Sequence, residues 1–259
     1  MKGLLLFDID GVIRDVSKSY RLAIQRTVNH FCGWEPALKE IDSLKAEGSW
    51  NNDWDCSLEL IKRFQDAQNL SLNPPSRSHL IEIFSGFYFG GDPFTADRTE
   101  WKGFIRNEPL LVEKDFFEAL SLKQITWGFV SGAEPESARF VLEDRIGLKN
   151  PPLIAMGDAP DKPNPQGFLQ LANSLGKGQL GANFPPIGYL GDTVADVLTI
   201  KEARKKLPGQ TFISLAIAPP HLQGVQHQNT RKEYENKLIK SGAERILCKT
   251  TDAIHFPFI

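Results

Sequence analysis

The sequence predicts an α/β protein: a parallel sheet with helices on both faces, and a block of helices inserted directly after the first strand. Three observations lead there. Short, continuous apolar runs recur along the chain, too short for helices and apolar throughout, as strands buried on both faces must be. Helical patterns of about ten residues alternate with them in the second half, the rhythm of βαβ units. Between Val16 and Arg106 the strands stop and only helical patterns remain.

The first run, Leu4 to Ile9, is the opening strand. Ser17 is placed to cap a helix whose apolar positions Tyr20, Ile24, Val28 and Phe31 share a face. Further helices are expected over Pro36–Ala46, Asp55–Gln68 and Ser76–Phe87, with Leu58, Ile61 and Phe64 at helical spacing, and Pro74-Pro75 and Gly90-Gly91 as punctuation. The alternating region then begins. Lys114–Leu122 reads as helix, Ile125–Val130 as strand and Glu136–Ile146 as helix. Leu153–Met156 is a short strand, Pro165–Leu175 a helix, and Gly176–Pro186 a loop. Ile187–Leu190, Thr211–Ala218 and the weaker Arg245–Cys248 are strands, separated by helices over Val194–Lys205 and Arg231–Ser241. The expected division is a core of residues 1–15 and 107–259 and a helical domain of residues 16–106.

Bulk properties exclude several classes of function. The chain has 259 residues, 41% of them apolar, enough for a sizeable core. Its 30 Lys+Arg against 32 Asp+Glu leave a net charge of −2, with no basic footprint for nucleic acid. Cys32, Cys56 and Cys248 are few, odd in number and widely spaced, so neither a disulfide framework nor a zinc site is indicated. The apolar start stops at Asp8, short of the roughly 7–15 residues of a signal-peptide core. No stretch approaches the ~20 apolar residues of a membrane span. A soluble, cytoplasmic protein is expected, a monomer or homodimer with no membrane or nucleic-acid partner. His30, His79, His221, His227 and His255 show no metal spacing.

The chemistry concentrates at the carboxyl ends of the expected strands, the edge where open parallel sheets bind ligands. The first strand ends in "FDIDGV" with Asp8 and Asp10, the second in "FVSGA" with Ser131 and Gly132. The third is followed by "GDAPDKPNP" with Lys162, and the fourth ends in "YLGDTVADV" with Asp192 and Asp196. Each group has a use in phosphoryl transfer. A carboxylate such as Asp8 can attack phosphorus and divide one hard step into two. A second, Asp10, can protonate the leaving oxygen and later deprotonate water. Clustered carboxylate oxygens suit Mg2+. Ser131 and the N–H groups after it can hold phosphate oxygens, and the Lys162 ammonium can hold Asp8 and phosphate together.

Taken singly, these residues also have ordinary readings. Asp-Gly and Ser-Gly are common in turns, a lysine before proline is usually solvated, and Asp196 could simply favour the dipole in a helix's first turn. Arg14 is placed either to grip a substrate phosphate or carboxylate bidentately, or to pair with Asp15 or a carboxylate of the inserted block. In "SWNNDWD", Trp50, Asn51 and Asn52 are candidates to read the substrate, while the ordinary reading has Trp50 and Trp54 anchor the block's own core.

Together and in this order, "DIDGV", "FVSG", "DKPNP" and "GDTVAD" resemble the four motifs of the haloacid dehalogenase superfamily, across the core from Phe7 to Asp196. The resemblance implies a Rossmann-like doubly wound sheet, with Val16–Arg106 as a C1-type helical cap. It implies Asp8 as nucleophile and Asp10 as general acid/base, Ser131 as phosphate ligand and Lys162 as stabiliser of the reacting centre. It also implies Mg2+ held by Asp8, the Asp10 carbonyl and Asp192, with Asp196 a metal ligand or just outside the ion's shell. An acid at position 10 favours phosphate esters over haloacids or phosphonates. Arg14 departs from the apolar residue of many relatives, and Thr193 from the frequent serine. The expected activity is phosphatase action on a small phosphorylated metabolite. The alternatives are a phosphomutase of the β-phosphoglucomutase type and a non-catalytic sensor of phosphorylated ligands.

Overall fold

The structure is a computed structural model and describes residues 1–47, 50, 52–70, 73–92 and 97–257. In chain order, β1 (Gly3–Phe7) is followed by α1 (Ser19–Cys32), α2 (Leu38–Ala46), α3 (Asp53–Ala67) and α4 (Arg77–Phe89). Then come α5 (Lys114–Leu122), β2 (Ile125–Val130), α6 (Pro135–Arg139), β3 (Leu153–Ile154) and α7 (Gln166–Leu175). The chain closes with β4 (Ile187–Gly191), α8 (Val194–Lys206), β5 (Phe212–Ile217), α9 (Gln228–Ser241) and β6 (Arg245–Leu247). It divides into two compact units, Met1–Asp15 with Pro109–Ile259, and Val16–Glu108.

The first unit is built on a six-stranded sheet in the order β3-β2-β1-β4-β5-β6. Every pairing is parallel. Leu4, Leu5, Leu6 and Phe7 are all fully buried, which is why this run is apolar without alternation. On one face Phe7 meets Phe117 edge-on at 5.9 Å, and Phe117 meets Phe129 at 5.5 Å and Trp127 at 4.9 Å. On the other, Leu4 and Leu6 share a cluster with Phe168 and Leu171 of α7 and Ile200 and Ala203 of α8. Strand register fixes the active edge. Phe7 lies opposite Phe129 on one side and Leu190 on the other. The residues that follow, Asp8, Val130-Ser131 and Gly191-Asp192, therefore leave the sheet side by side.

The helix expected over Glu136–Ile146 is regular only through α6 and widens into π-helical turns over Phe140–Arg145. Phe140, Val141 and Leu142 are buried in succession there, a broader apolar arc than the stripe of a regular amphipathic helix.

In the second unit α1 packs on α3 and α4. Its aromatic contacts include Tyr20 stacked on Tyr88 at 4.6 Å and Trp34 on Phe64 at 5.0 Å. The buried Glu108 carboxylate accepts from Ser19 Oγ at 2.5 Å and from Tyr88 Oη at 3.1 Å. Helix α1 starts at Ser19 rather than behind a Ser17 cap. Lys18 holds the N-cap position in a helical backbone conformation, with no side-chain cap.

Candidate active site

Asp8 follows β1 with its backbone N–H bonded to the Leu190 carbonyl at 2.9 Å, so the strand ladder itself aims the residue. Its carboxylate is buried, and Oδ1 lies 3.1 Å from Lys162 Nζ. Lys162 also donates to Asp196 Oδ1 at 2.5 Å and to Tyr189 Oη at 3.2 Å. Two hydrogen bonds and the ion pair to Asp8 thus hold the ammonium in place. The tyrosine hydroxyl donates its own proton to the Val130 carbonyl at 2.7 Å, tying the lysine to β2 as well as β4.

Asp196 sits in the first turn of α8. Its Oδ2 accepts from Thr193 N at 3.0 Å and Thr193 Oγ1 at 2.6 Å, while Thr193 Oγ1 accepts from Asp196 N at 3.3 Å, a reciprocal cap. Both Asp196 oxygens are thereby engaged by protein donors. The first turn presses onto the strand end at Gly191, where an added Cβ would lie 2.3 Å from Asp196 Cγ.

Asp8, Asp192 and Asp196 offer carboxylate oxygens within 4.8 Å of one another, all buried. One lysine against three carboxylates leaves a surplus of negative charge. Burial is the largest influence on Asp8 and pushes its carboxyl up to about 6; Lys162 opposes that rise, and Asp196 and Asp10 add to it. Asp192 is pushed well above the usual carboxylate range by burial and then by Asp196 and Asp8. On Asp196 burial is again the largest influence, but Lys162 and the Thr193 donors outweigh it and hold the carboxyl low. Lys162 behaves in the mirror sense: burial opposes its charge, and Asp196 and Asp8 keep it well above its ordinary value. Asp8 and Asp192 are the two carboxylates that a cation would relieve. A hard divalent ion fits this all-oxygen set.

Backbone geometry supports the same place. Gly11 has φ +76°, and a Cβ there would fall 2.0 Å from Asp192 Oδ2. Only glycine lets the loop after β1 lie against that carboxylate. Tyr234 of α9 donates to the Asp192 carbonyl at 3.0 Å and steadies the loop from behind.

Ser131 is buried and its hydroxyl works to lower the Asp8 carboxyl against the effect of burial, and its Oγ accepts from Ala133 N at 3.2 Å. Gly132 is exposed, with nothing within 4 Å of the place a Cβ would take. A small hollow of about 30 Å³, room for roughly one water, touches Ser131, Gly132 and Lys162. Asp10 is partly exposed and bonded by the buried Arg14, whose Nε lies 2.7 Å from Asp10 Oδ1. Asp8, Asp10, Ser131, Lys162, Asp192 and Asp196 thus converge on one edge, with Arg14 behind Asp10.

The candidates of the helical unit sit in local contacts. Asn52 Oδ1 caps α3 by accepting from Trp54 N and Asp55 N at 3.0 and 3.1 Å. Trp50 donates to Glu47 at 3.2 Å, and Trp54 lies under the Arg77 guanidinium at 5.3 Å. Both tryptophans are half-buried. Asn51 lies outside the described residues. Sequence reasoning missed Tyr189, Ser137 and Tyr234. For Tyr189 a signal existed: a tyrosine inside a fully buried strand must find a partner for its hydroxyl.

Among the described residues no helix is long and apolar enough to cross a membrane. The chain is 31% identical over 202 residues to an imidazoleglycerol-phosphate dehydratase of Phytophthora nicotianae, covering 77% of this chain and 41% of that protein. It therefore spans about two fifths of that relative's length. Similar solved structures include phosphatase Tt82 of Thermococcus thioreducens, with TM-score 0.61, 21% identity, and coverage of 91% of this chain and 99% of that one. A haloacid dehalogenase family hydrolase of Deinococcus radiodurans R1, with bound phosphate and sodium, has TM-score 0.57, 16% identity, and coverage of 96% and 92%. At these identities the structural likenesses establish the fold. Residues 3–204 match the haloacid dehalogenase-like hydrolases over most of the chain, carrying all the strand-end groups described above, and the chain belongs to that hydrolase family.

Proposed function

We propose that this hydrolase is a Mg2+-dependent phosphatase of small phosphorylated metabolites, working through an aspartyl-phosphate on Asp8. The observation that carries the reading is the placement of the Asp8 carboxylate 3.1 Å from Lys162 Nζ, inside a buried acidic cluster. Asp8, Asp192 and the Asp10 carbonyl are the groups assigned to the ion. Asp196 is assigned to Lys162, because its oxygens already accept from Lys162 and Thr193. When bound, the ion offsets the charge of the incoming phosphate and of the transition state.

The protein's own steps follow. Ser131 and Lys162 hold phosphate oxygens against Asp8. An Asp8 oxygen attacks phosphorus, the bond to the ester oxygen breaks, and that oxygen takes a proton from Asp10. Asp10, now ionised, removes a proton from water. The water oxygen attacks phosphorus, the bond to Asp8 breaks, and inorganic phosphate leaves. The helical unit Val16–Glu108 is assigned the role of a C1-type cap that selects the substrate. Trp50, Asn51 and Asn52 are its candidate reading residues, with Arg14 of the core unit as a further candidate.

The test is phosphate release from p-nitrophenyl phosphate and a panel of phosphomonoesters with Mg2+. The Phytophthora relative's name puts imidazoleglycerol phosphate and other imidazole-bearing phosphomonoesters in that panel. Activity is expected to vanish with EDTA, return with Mg2+, and fall by at least about a thousandfold in Asp8→Asn. Undiminished turnover in Asp8→Asn ends the nucleophile assignment. Isomer formation without phosphate release reassigns the chain as a phosphomutase, and tight binding without turnover as a sensor.

A further inference from the structure

Two loops of the core unit meet at the acidic cluster: residues 8–14, which follow β1, and Gly191-Asp192 at the end of β4. They lie directly against each other, since a Cβ on Gly11 would fall 2.0 Å from Asp192 Oδ2. The first loop is wound around one carbonyl. Val12 N, Ile13 N and Arg14 N all donate to Ile9 O, at 3.2, 2.7 and 3.2 Å. Its far end is tied to α6, where Arg14 Nη2 donates to Ser137 Oγ at 2.8 Å. Each loop also has one carbonyl held by a side chain from the C-terminal part of the chain. Thr250 Oγ1 donates to the Val12 carbonyl at 2.6 Å, across 238 residues of sequence. Tyr234 Oη donates to the Asp192 carbonyl at 3.0 Å, across 42. Both donors lie beyond residue 204, where the family match ends.

The donors are themselves well seated. Thr250 is buried and opens a short 3-10 helix over Thr250–His255. Asp252 braces that turn, its Oδ2 accepting from Cys248 N at 3.2 Å and Lys249 N at 3.1 Å. The buried Phe256 pins its end: a Cβ on Gly3 of β1 or on Gly188 of β4 would lie 2.7 or 2.6 Å from the Phe256 ring. Tyr234 packs against a cluster in which Leu238 of α9 meets Val197 of α8 and Ala216 of β5. A carbonyl bonded by an anchored side chain keeps its rigid peptide plane, and the atoms next to it, in one orientation. That matters for Mg2+, which demands near-ideal octahedral geometry. We propose that Thr250 and Tyr234 are positioning residues for the divalent ion: they clamp the two loops so that the oxygens of Asp10 and Asp192 are already spaced for it. The assignment rests on the Mg2+ reading of the site. It gives the C-terminal segment a part in ion affinity as well as in the fold.

A clamp on ligands and a contact that only stabilises the fold differ in one readout. Loss of either bond lowers the melting temperature, but only loss of a clamp changes the Kd of the folded protein for Mg2+. The experiment measures that constant with the metal alone, by isothermal titration calorimetry well below the melting temperature. The proteins are wild type, Tyr234→Phe, Thr250→Val, Thr250→Ser and Thr199→Val. The last is the control, because it removes another buried threonine hydroxyl, one bonded to Ala195 O at 2.8 Å within α8. Tyr234→Phe and Thr250→Val are each expected to weaken Mg2+ binding by at least about fivefold, below the 10–100-fold typical when a ligand's own partner is removed. Thr250→Ser keeps the oxygen and should bind as wild type does, and so should Thr199→Val. An unchanged Kd in either clamp variant removes that residue from the role. Unchanged constants in both, or an equal weakening in Thr199→Val, overturn the proposal while leaving the ion site standing. A wild type that does not bind Mg2+, or whose affinity survives Asp192→Asn, overturns the Mg2+ reading and this proposal with it. If Thr250→Val fails to fold, the decision passes to Tyr234→Phe, which keeps its ring and loses one oxygen.

Discussion

Lys162 donates to Asp196 and Tyr189 and pairs with Asp8, and the least conspicuous of these partners is a phenol. Burial, the largest influence, lifts Tyr189 well above its ordinary range, so the hydroxyl keeps its proton and donates it to Val130. Tyr189→Phe therefore strands one lysine N–H and one carbonyl in the interior. We expect a stability loss of about 1–3 kcal/mol by urea denaturation, together with a fall in kcat as Lys162 gains freedom. A variant as stable and as fast as wild type would remove Tyr189 from the site. The same residue shows how far single positions could be read. Asp8, Asp10, Ser131, Lys162 and Asp192 stood out because charge or hydroxyl at a strand end has a chemical use. Tyr189 and Ser137 lie within apolar or helical patterns, and their partners are 59 and 123 residues distant.

Elements decide where these residues meet. Helix α8 carries Asp196, and Thr193 anchors its first turn by both a received and a donated bond. Thr193→Ala is expected to cost about 1 kcal/mol, up to about 2, and to loosen Asp196 against Lys162. Thr193→Ser, which keeps the oxygen, should cost little. Thermal melting of the two variants side by side checks this; equal losses would mean that the methyl group, not the cap, matters. Most elements were legible because their patterns are local: α5 and β2 fall where the apolar spacing put them. Two details were not. The π-helical turns over Phe140–Arg145 and the start of α1 at Ser19 depend on what packs against them, and periodicity carries no record of that.

For the whole molecule the governing quantity is charge at the sheet edge. Three buried carboxylates share one lysine, so folding must bring like charges within 4.8 Å. A divalent ion that binds only the folded chain should raise the melting temperature, by about 2.7 kcal/mol of stabilisation at a hundred times its Kd. Asp192→Asn should raise the stability of the metal-free protein and abolish the response to Mg2+. Calorimetry with and without EDTA measures both, and an undiminished Mg2+ shift in Asp192→Asn would place the ion elsewhere. The sequence by itself determined the α/β class, the run of helices after the first strand and the candidates at the strand ends, because these depend on composition, on spacing over a few residues and on residue chemistry. Only the tertiary structure showed that Asp196 and Tyr189 accept hydrogen bonds from Lys162 and that Arg14 donates to Asp10 and Ser137. Strand register and helix packing bring those groups together across gaps in sequence that no local pattern spans.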